Sequence, residues 1–243
     1  MSDDLWESNA QWWIDGFTEG ADAEYEEQIL PMAAAGLAGA HRVLDVGTGE
    51  GQVARLAARA GADVVGVDPT WAQLAEARQR AGGPAYARAE AARLPFADAS
   101  FDAVVACLVF EHINEMDAAI AEVARVLAPG GRFLFFLNHP LLQTPGSGWI
   151  DDQVLDPPEQ YWRIGAYLVE DASLEEVEKD VFIPFIHRPL SRYVNALLDS
   201  GLRLVRMEEP APPAGFLARA TEYTDAATIP RLLHLRADKP PSP

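Results

Sequence analysis

Three glycines directly after a short apolar segment are the residues whose types and spacing point most clearly to chemistry. The segment VLDV at 43–46 carries Asp45 and runs into GTGEG at 47–51. Glycine has no Cβ atom, so the backbone of such a turn can pass close to a ligand at the start of a helix. A dinucleotide turn, G-x-G-x-x-G, would need glycine where the chain has Gln52. The pattern therefore disfavours NAD, and the Asp45 carboxylate would repel a pyrophosphate but attract a cationic amino acid group.

A second acid follows at the end of the next apolar segment. Residues 62–68 predict a buried strand that ends in Asp68, 19 residues after Gly49. A carboxylate at this place can accept hydrogen bonds from both hydroxyls of a ribose. The alternative is that Asp68 only caps the helix that begins after Pro69 and Thr70. Beside the glycine turn the ribose role is favoured, and the two acids together suit S-adenosylmethionine, which joins a ribose to a cationic amino acid end.

A third segment carries a resemblance to a known family. It reads AEAARLPF at 89–96 and continues into the apolar strand FDAVVA at 101–106. With the first two motifs, over roughly residues 41–139, the chain resembles class I S-adenosylmethionine-dependent methyltransferases of the type-11 group, which includes the ubiquinone and menaquinone methyltransferases. The resemblance implies that Glu90, where the family usually has Asp, meets the adenine amino group and that Ala91 offers its backbone N–H to the ring. The candidate cofactor-binding residues are Asp45, Gly47, Thr48, Gly49, Asp68, Pro69, Glu90, Ala91, Cys107 and Leu108.

The element pattern predicts an α/β fold. Strands and helices alternate from residue 41 to about 138, with strands near 42–46, 63–67, 84–88, 102–108 and 131–137. Later segments predict a helix at 191–200, a strand at 202–208, a helix at about 215–226 and a strand at 229–235. Together they predict a Rossmann-like, seven-stranded, mostly parallel sheet with helices on both faces. The predicted organisation is an N-terminal helical lid (1–40), a cofactor-binding core (41–138), an inserted α-rich cap (139–188) and a segment that completes the sheet (189–243).

Composition and charge narrow the class of partner. The chain has 243 residues and a formal net charge of −18, which disfavours nucleic acids and anionic membrane surfaces. Its single cysteine, Cys107, excludes an intrachain disulfide, and no spacing of ligands suggests a metal site. No apolar run is long enough to span a bilayer, and the first residues do not form a basic region followed by an apolar core. A cytoplasmic location is therefore expected. The expected partner is a small-molecule methyl acceptor, and the chain is expected to be a monomer or a homodimer.

Three histidines are candidates for a catalytic base. Methyl transfer from a sulfonium depends mainly on positioning, but a hydroxyl acceptor reacts better when a base removes its proton. His139 directly follows the fifth strand and is the first choice, while His112 follows the fourth strand at the same edge of the sheet. His187 lies where the chain returns from the cap. For His112 and His187 the alternative is a structural hydrogen bond that shapes the local backbone.

Aromatic residues indicate where an acceptor would bind. The N-terminal segment is rich in rings and acids and contains no Lys or Arg before residue 42, so it predicts either a lid over the cofactor (residues 5–28) or a helix packed on the sheet. The candidate substrate-binding residues are Trp12, Tyr25, Tyr161, Trp162 and Tyr167. The sequence thus favours a small-molecule methyltransferase with a flat acceptor, such as a quinone or another secondary metabolite, methylated on oxygen rather than nitrogen or carbon. The alternatives are a methyltransferase acting on protein or RNA and a non-catalytic S-adenosylmethionine-binding module.

Overall fold

The strands of the chain form one large sheet and two hairpins. The structure, a computed structural model, describes residues 2–223 and 225–241, with side chains from Leu5 onward. The strands are β1 (Arg42–Val46), β2 (Asp63–Asp68), β3 (Ala85–Arg88), β4 (Phe101–Cys107), β5 (Leu127–Asn138), β6 (Gly148–Asp152), β7 (Glu159–Arg163), β8 (Asp171–Glu178), β9 (Val181–His187), β10 (Arg203–Glu208) and β11 (Leu232–Asp238). Within the described residues, seven of them form the central sheet in the order β3-β2-β1-β4-β5-β11-β10.

The central sheet confirms the predicted fold class. Strands β1 to β5 are mutually parallel, and β11 runs antiparallel to both β5 and β10. β1 and β4 are almost fully buried, as expected for parallel strands covered by helices on both faces. Strand order reverses at β1, so the carboxyl ends of β1 and β4 open a crevice between them, which is where ligands bind in open α/β sheets.

Helices cover both faces of this sheet. They are α1 (Ser2–Ser8), α2 (Ala10–Phe17), α3 (Leu30–Leu37, preceded by a π-helical turn at Tyr25–Ile29), α4 (Gln52–Arg59), α5 (Trp71–Arg80), α6 (Met116–Val126), α7 (Leu190–Asp199) and α8 (Ala214–Leu217). One buried cluster joins α6 and α7 to the sheet through Ile120, Val123 and Leu197. A second cluster joins α3 and α4 to the opposite face through Leu37 and Ala54. None of the helices in the described chain has the length and apolar character needed to cross a bilayer.

The C-terminal segment departs from the prediction in two places. The helix predicted at about 215–226 consists only of α8 and a separate 3₁₀ turn at Ala226–Thr228, with Thr224 outside the described residues. The strand predicted at 229–235 is displaced to Leu232–Asp238. Pro230 has no N–H to donate to a strand ladder, which accounts for the later start. The two outer strands nevertheless complete the sheet as predicted.

The inserted segment 139–188 is built from strands, so the prediction of an α-rich cap was wrong. β6 pairs with β7, and β8 pairs with β9, both antiparallel. β8 is rich in glutamate, which favours a helix, but its apolar partner β9 offers Val181, Phe182 and Ile183 for cross-strand packing. Asp180 makes the turn between them with a φ of 64°, a conformation that Asp tolerates better than most residues. Tertiary pairing has overridden helix propensity here.

The N-terminal helices are held by hydrogen bonds to two distant parts of the chain. The two carboxylate oxygens of Glu7 accept from the backbone N–H groups of Trp71 and Ala72, at distances of 2.7 and 2.9 Å, and so cap the first turn of α5. On the other side, the Trp12 indole Nε1–H donates to Glu178 Oε2 at 2.9 Å, on the β8–β9 hairpin. Helices α1 and α2 therefore connect the start of α5 with the insertion.

Candidate active site

The glycine turn after β1 forms one wall of a cavity of about 340 Å³. The N–H groups of Gly47 and Thr48 both donate to the Val67 carbonyl, at 2.8 and 2.9 Å, which folds the turn back toward β2. Gly47 has a φ of 69°, and a Cβ atom there would collide with both methyl groups of Val109. A Cβ at Gly49 would instead meet its first neighbours at 3.7 and 3.8 Å, because this glycine faces open space in the cavity. The backbone of the glycine turn is therefore accessible from the cavity, as the sequence predicted.

Asp45 lies at the inner end of this turn and is 2% exposed. Its Oδ2 atom accepts a hydrogen bond from Thr48 Oγ1 at 2.7 Å. The pKa of Asp45 is raised to about 7, chiefly by burial and also by the nearby acids Asp68 and Glu50, while the hydrogen bond from Thr48 acts to lower it. A cationic group placed beside this carboxylate would favour its ionised form, so the position suits an α-ammonium group.

Asp68 lies at the end of β2 and faces the same cavity. Its two oxygens accept from the N–H groups of Gly49 and Thr70, at 3.0 and 2.8 Å, so it ties the glycine turn to the loop before α5. A carboxylate has about four acceptor positions, and those left over can serve two ribose hydroxyls. The capping alternative is only partly met, because the first-turn N–H groups of α5 at Trp71 and Ala72 bond to Glu7.

The remaining cofactor candidates line the same cavity. Glu90 and Ala91 lie beyond β3, Cys107 is the last residue of β4, and Leu108 follows it. Burial raises the pKa of the Cys107 thiol well above its ordinary value, so the thiol stays protonated and acts as a small apolar wall group. The structure brings all ten candidates together: Asp45, Gly47, Thr48, Gly49, Asp68, Pro69, Glu90, Ala91, Cys107 and Leu108. An open backbone cradle between two buried carboxylates fits the size and the cationic character of S-adenosylmethionine.

His112 is the histidine that faces this cavity. Its Nδ1 atom lies 2.7 Å from the Pro184 carbonyl, and a carbonyl only accepts, so Nδ1 carries the proton and Nε2 has a free lone pair. The ring packs between Trp6 and Phe185, with centroid distances of 4.9 and 4.7 Å. Burial lowers the pKa of His112, outweighing the charge of Glu111 that raises it. The neutral form with Nε2 as an acceptor is therefore favoured near neutral pH.

His139 and His187 lie outside the lining of this cavity. His139 is 5% exposed and bonds through Nε2 to Glu209 at 2.8 Å, while its Nδ1 accepts from the Leu141 N–H at 3.1 Å. Both ring nitrogens are thus used in holding the segment after β5. His187 donates from Nε2 to the Tyr167 carbonyl at 2.8 Å and is 2% exposed. The hydrogen bond of His187 matches the structural alternative. His139 directly follows β5, as predicted, but its ring bonds to Glu209 and does not line the cavity.

Of the five candidate substrate residues, Tyr25 lines the cavity and the others do not. Burial raises the pKa of the Tyr25 hydroxyl well above its ordinary value, with Cys107 and Asp45 adding to the effect. Trp12 is engaged with Glu178 at the surface. The three insertion residues Tyr161, Trp162 and Tyr167 lie on β7 and in the loop after it, where Tyr161 is 43% exposed. The insertion instead contacts the site through Pro184 and Phe185, which hold the ring of His112.

Several lining residues were not among the candidates, and they include two tryptophans and two polar residues that follow His112. Trp6 and Trp13 come from the N-terminal helices and meet edge to face with centroids 5.8 Å apart. Their signal was present in the ring-rich segment, but adjacent tryptophans on a helix differ in direction by about 100°, and only packing decides which one faces inward. Asn114 and Glu115 follow His112 in the loop after β4. Leu108, at the start of that loop, has a φ of 54°, an uncommon conformation for a side-chain-bearing residue.

Known proteins resemble this chain at two levels. A family model described as a methyltransferase domain matches residues 44–135. A demethylmenaquinone methyltransferase from Renibacterium salmoninarum is 38% identical over 112 residues, which are 46% of this chain and 47% of that protein. A ubiquinone/menaquinone biosynthesis C-methyltransferase from Desulfotalea psychrophila is 38% identical over 119 residues, covering 47% and 48%. The chain spans about half the length of these curated relatives.

A solved structure extends the likeness to most of the chain. The S-adenosylmethionine dependent methyltransferase from Mesorhizobium loti is 28% identical, covers 89% of this chain and 98% of its own, and superposes with a TM-score of 0.75. Fold and site together define a class I S-adenosylmethionine-dependent methyltransferase domain, whose cofactor is S-adenosylmethionine. Residues 44–135 match the family described as a methyltransferase domain, and the similarity to ubiquinone- and menaquinone-related proteins confirms the resemblance seen in the sequence.

Proposed function

We propose that the chain transfers the methyl group of S-adenosylmethionine to a small, neutral molecule that carries a phenol or hydroquinone ring. The observation that carries the proposal is a single cavity in which Asp45 and Asp68 flank an open glycine turn and His112 presents a free Nε2 atom. The cavity thus combines a place for the sulfonium cofactor with an uncharged proton acceptor, which is what methylation of a hydroxylated ring needs.

The charge of the cavity supports a neutral acceptor. The described lining residues include no Lys or Arg, whereas they include five carboxylates: Asp45, Glu50, Asp68, Glu90 and Glu115. Arg55 and Arg80 pair with Glu50 at 2.5 and 2.9 Å, but neither of them belongs to the described lining. A phosphate or carboxylate on the acceptor would face these acids without a cationic partner. The same feature, with the net charge of −18, argues against an RNA acceptor.

Chemistry and relatives together favour methylation at ring carbon. The hydroquinone form supplies the electrons, because the sulfonium methyl group is an electrophile. When bound, S-adenosylmethionine would supply the electrophilic methyl group and would leave as the neutral sulfide S-adenosylhomocysteine. His112 Nε2 would take the hydroxyl proton as the ring carbon of the acceptor forms its bond to that methyl group. The ring carbon then loses its proton and the hydroxyl regains one, so one proton is released overall. The expectation of an oxygen acceptor is not supported by the relatives, of which the Desulfotalea psychrophila protein is named as a C-methyltransferase.

The N-terminal helices are the proposed lid of this site. Trp6 and Trp13 face the cavity, and Glu7 holds α1 against the start of α5 beside Asp68. In this arrangement the rings exclude water from the transferring methyl group, which strengthens the electrostatic interactions inside. The acceptor would then enter when α1 and α2 move away from the β8–β9 hairpin.

The proposal is tested with naphthohydroquinone as the acceptor and S-adenosylmethionine carrying an isotopically labelled methyl group. We expect release of S-adenosylhomocysteine and a product with the label on ring carbon. His112→Asn should lower kcat by about a hundredfold or more, as for loss of a general base, with cofactor affinity unchanged. His139→Asn and His187→Asn are the matched controls, and we expect each to keep kcat within about twofold wherever the variant is folded.

Three results would contradict this proposal in different ways. An unchanged kcat in His112→Asn would remove the base, and a label on oxygen would correct the acceptor atom. Cofactor binding without product from any neutral aromatic acceptor would favour the non-catalytic binding module. Methylation of a protein or RNA, with binding that weakens steeply with salt, would favour the macromolecular alternative.

A further inference from the structure

Arg188 is a buried cation that donates three hydrogen bonds to the backbone of the loop that carries His112. It lies between β9 and α7 and is 4% exposed. Its Nη1 atom donates to the Phe110 carbonyl at 3.0 Å, and Nη2 donates to the carbonyls of Ile113 and Asn114 at 2.7 and 3.3 Å. These three carbonyls lie on both sides of His112 in the sequence, so hydrogen bonds from the buried guanidinium fix the backbone of that short loop.

Burial of the Arg188 guanidinium costs free energy unless its N–H groups find acceptors. A buried charge loses its hydration, and only good hydrogen bonds repay that loss. In the 3₁₀ turn Phe110–His112 the Phe110 carbonyl also accepts from the Ile113 N–H at 3.3 Å, whereas the carbonyls of Ile113 and Asn114 lie beyond the turn. A planar guanidinium offers five N–H donors in a fixed fork, whereas an ammonium is a compact point charge. Arginine can therefore hold three carbonyls in one fixed arrangement and lysine cannot.

The same segment also fixes the ring of His112. The Pro184 carbonyl on β9, four residues before Arg188, accepts from His112 Nδ1, so Nε2 is the nitrogen left to accept a proton on a ring that lines the cavity. Phe185, next along the strand, packs against the ring with centroids 4.7 Å apart. Backbone and ring of one histidine are thus held by a single stretch of the insertion.

We propose that Arg188 is a positioning residue for methyl transfer, which holds the His112 loop so that Nε2 meets the acceptor. This inference rests on the base role proposed for His112. A displacement of a catalytic group by about 1 Å can cost up to a hundredfold in rate. Loss of the Arg188 hydrogen bonds should therefore lower kcat. The affinity for S-adenosylmethionine should stay unchanged, because the glycine turn and Asp68 are not affected.

The neighbouring Arg192 provides a matched control. Both arginines contact Glu170, Arg188 through Nε at 3.9 Å and Arg192 through Nε at 3.2 Å. The other bonds of Arg192 go to Asp117 in the first turn of α6, away from the His112 loop, and its side chain is 33% exposed. Arg192→Lys changes the same side-chain type beside the same acid without touching the three carbonyls.

The experiment compares Arg188→Lys, Arg192→Lys, His112→Asn and the double variant Arg188→Lys/His112→Asn, with naphthohydroquinone as acceptor. We expect Arg188→Lys to lower kcat on the order of tenfold, to keep the calorimetric Kd of S-adenosylmethionine within about twofold, and to leave the double variant no slower than His112→Asn alone. Arg192→Lys should keep the kcat of the natural chain. Nitrogen NMR of the His112 ring should show the Nδ1–H tautomer in the natural chain and a mixture of tautomers in Arg188→Lys.

Several outcomes would overturn the inference separately from the proposed function. If His112→Asn slows the reaction and Arg188→Lys slows it further by the same factor in both backgrounds, Arg188 does not act through His112. If His112→Asn has no effect, the base role itself fails. Should Arg188→Lys not fold, Glu170→Gln is the second variant: a lower kcat with a shifted His112 tautomer supports the inference, and unchanged values of both overturn it.

Discussion

The two sides of the cavity are encoded in different ways. On the cofactor side, Asp45 and Thr48 are three residues apart, and Asp68 reaches the same turn from the next strand. On the acceptor side, His112 depends on Pro184, 72 residues away, and on Arg188, whose carbonyl partner Phe110 is 78 residues distant. A backbone turn specifies the first side, and packing of an insertion against the core specifies the second. Substitutions should therefore separate cofactor affinity from turnover.

The largest effect is expected on the cofactor side, from Asp68→Ala. The variant removes the predicted partner of the ribose and the acceptor of the Gly49 and Thr70 N–H groups. Loss of two hydrogen bonds to a charged group, at about 1.5 kcal/mol each or more, should raise the calorimetric Kd of S-adenosylmethionine by about a hundredfold. Asp63→Ala, an exposed acid at the start of the same strand, is the control. Equal affinities of the two variants for S-adenosylmethionine would contradict the role of Asp68 in cofactor binding.

A smaller effect, confined to acid pH, is expected from Asp45. Its raised pKa of about 7 means that it is increasingly protonated below that pH, and a neutral carboxyl attracts an ammonium group less. The Kd of S-adenosylmethionine should therefore rise as the pH falls through about 7, approaching roughly tenfold per pH unit. Calorimetry in buffers of different ionisation enthalpy should also detect proton release on binding at the acid end. Asp45→Asn should bind weakly at every pH, and a flat profile in the natural chain would contradict the assignment.

The smallest effect is expected at the lid. Trp12→Phe keeps an aromatic side chain but removes the hydrogen bond to Glu178, which is exposed and worth about 0.5–1 kcal/mol. The dissociation rate of S-adenosylhomocysteine, measured by stopped-flow fluorescence, should rise by about two- to fivefold. Trp162→Phe is the control, because Trp162 Nε1 has no hydrogen-bond partner among the described residues. If both variants release the product at the natural rate, α1 and α2 do not act as a lid.

The sequence predicted the central sheet and the cofactor set because both follow from local patterns. Apolar strands that end in Asp45 or Asp68 must deliver those acids to one edge of a parallel sheet. A glycine turn needs no distant contact to take its shape, since positive φ angles at Gly47 and Gly49 are available to glycine alone at no steric cost. Ten residues could therefore be placed in one cavity before the structure was known.

The acceptor side could not be predicted in the same way. Strand order correctly put His112 and His139 at the same edge, but the Glu209 carboxylate decides where the His139 ring points, and it lies 70 residues away. The insertion was expected to be α-rich, because the pairing of β8 with β9 has no local signal in the sequence. Which of Trp12 and Trp13 faces inward depends on the hairpin that bonds to Trp12. Each error arose where a contact between distant residues overrides a local preference.

The most direct test of the account is a crystal structure of the complex with S-adenosylhomocysteine. The account predicts the ribose on Asp68, the amino acid end on Asp45, and the sulfur facing the open space in front of His112 Nε2. A nucleoside bound elsewhere, or one turned so that its sulfur faces away from His112, would contradict it.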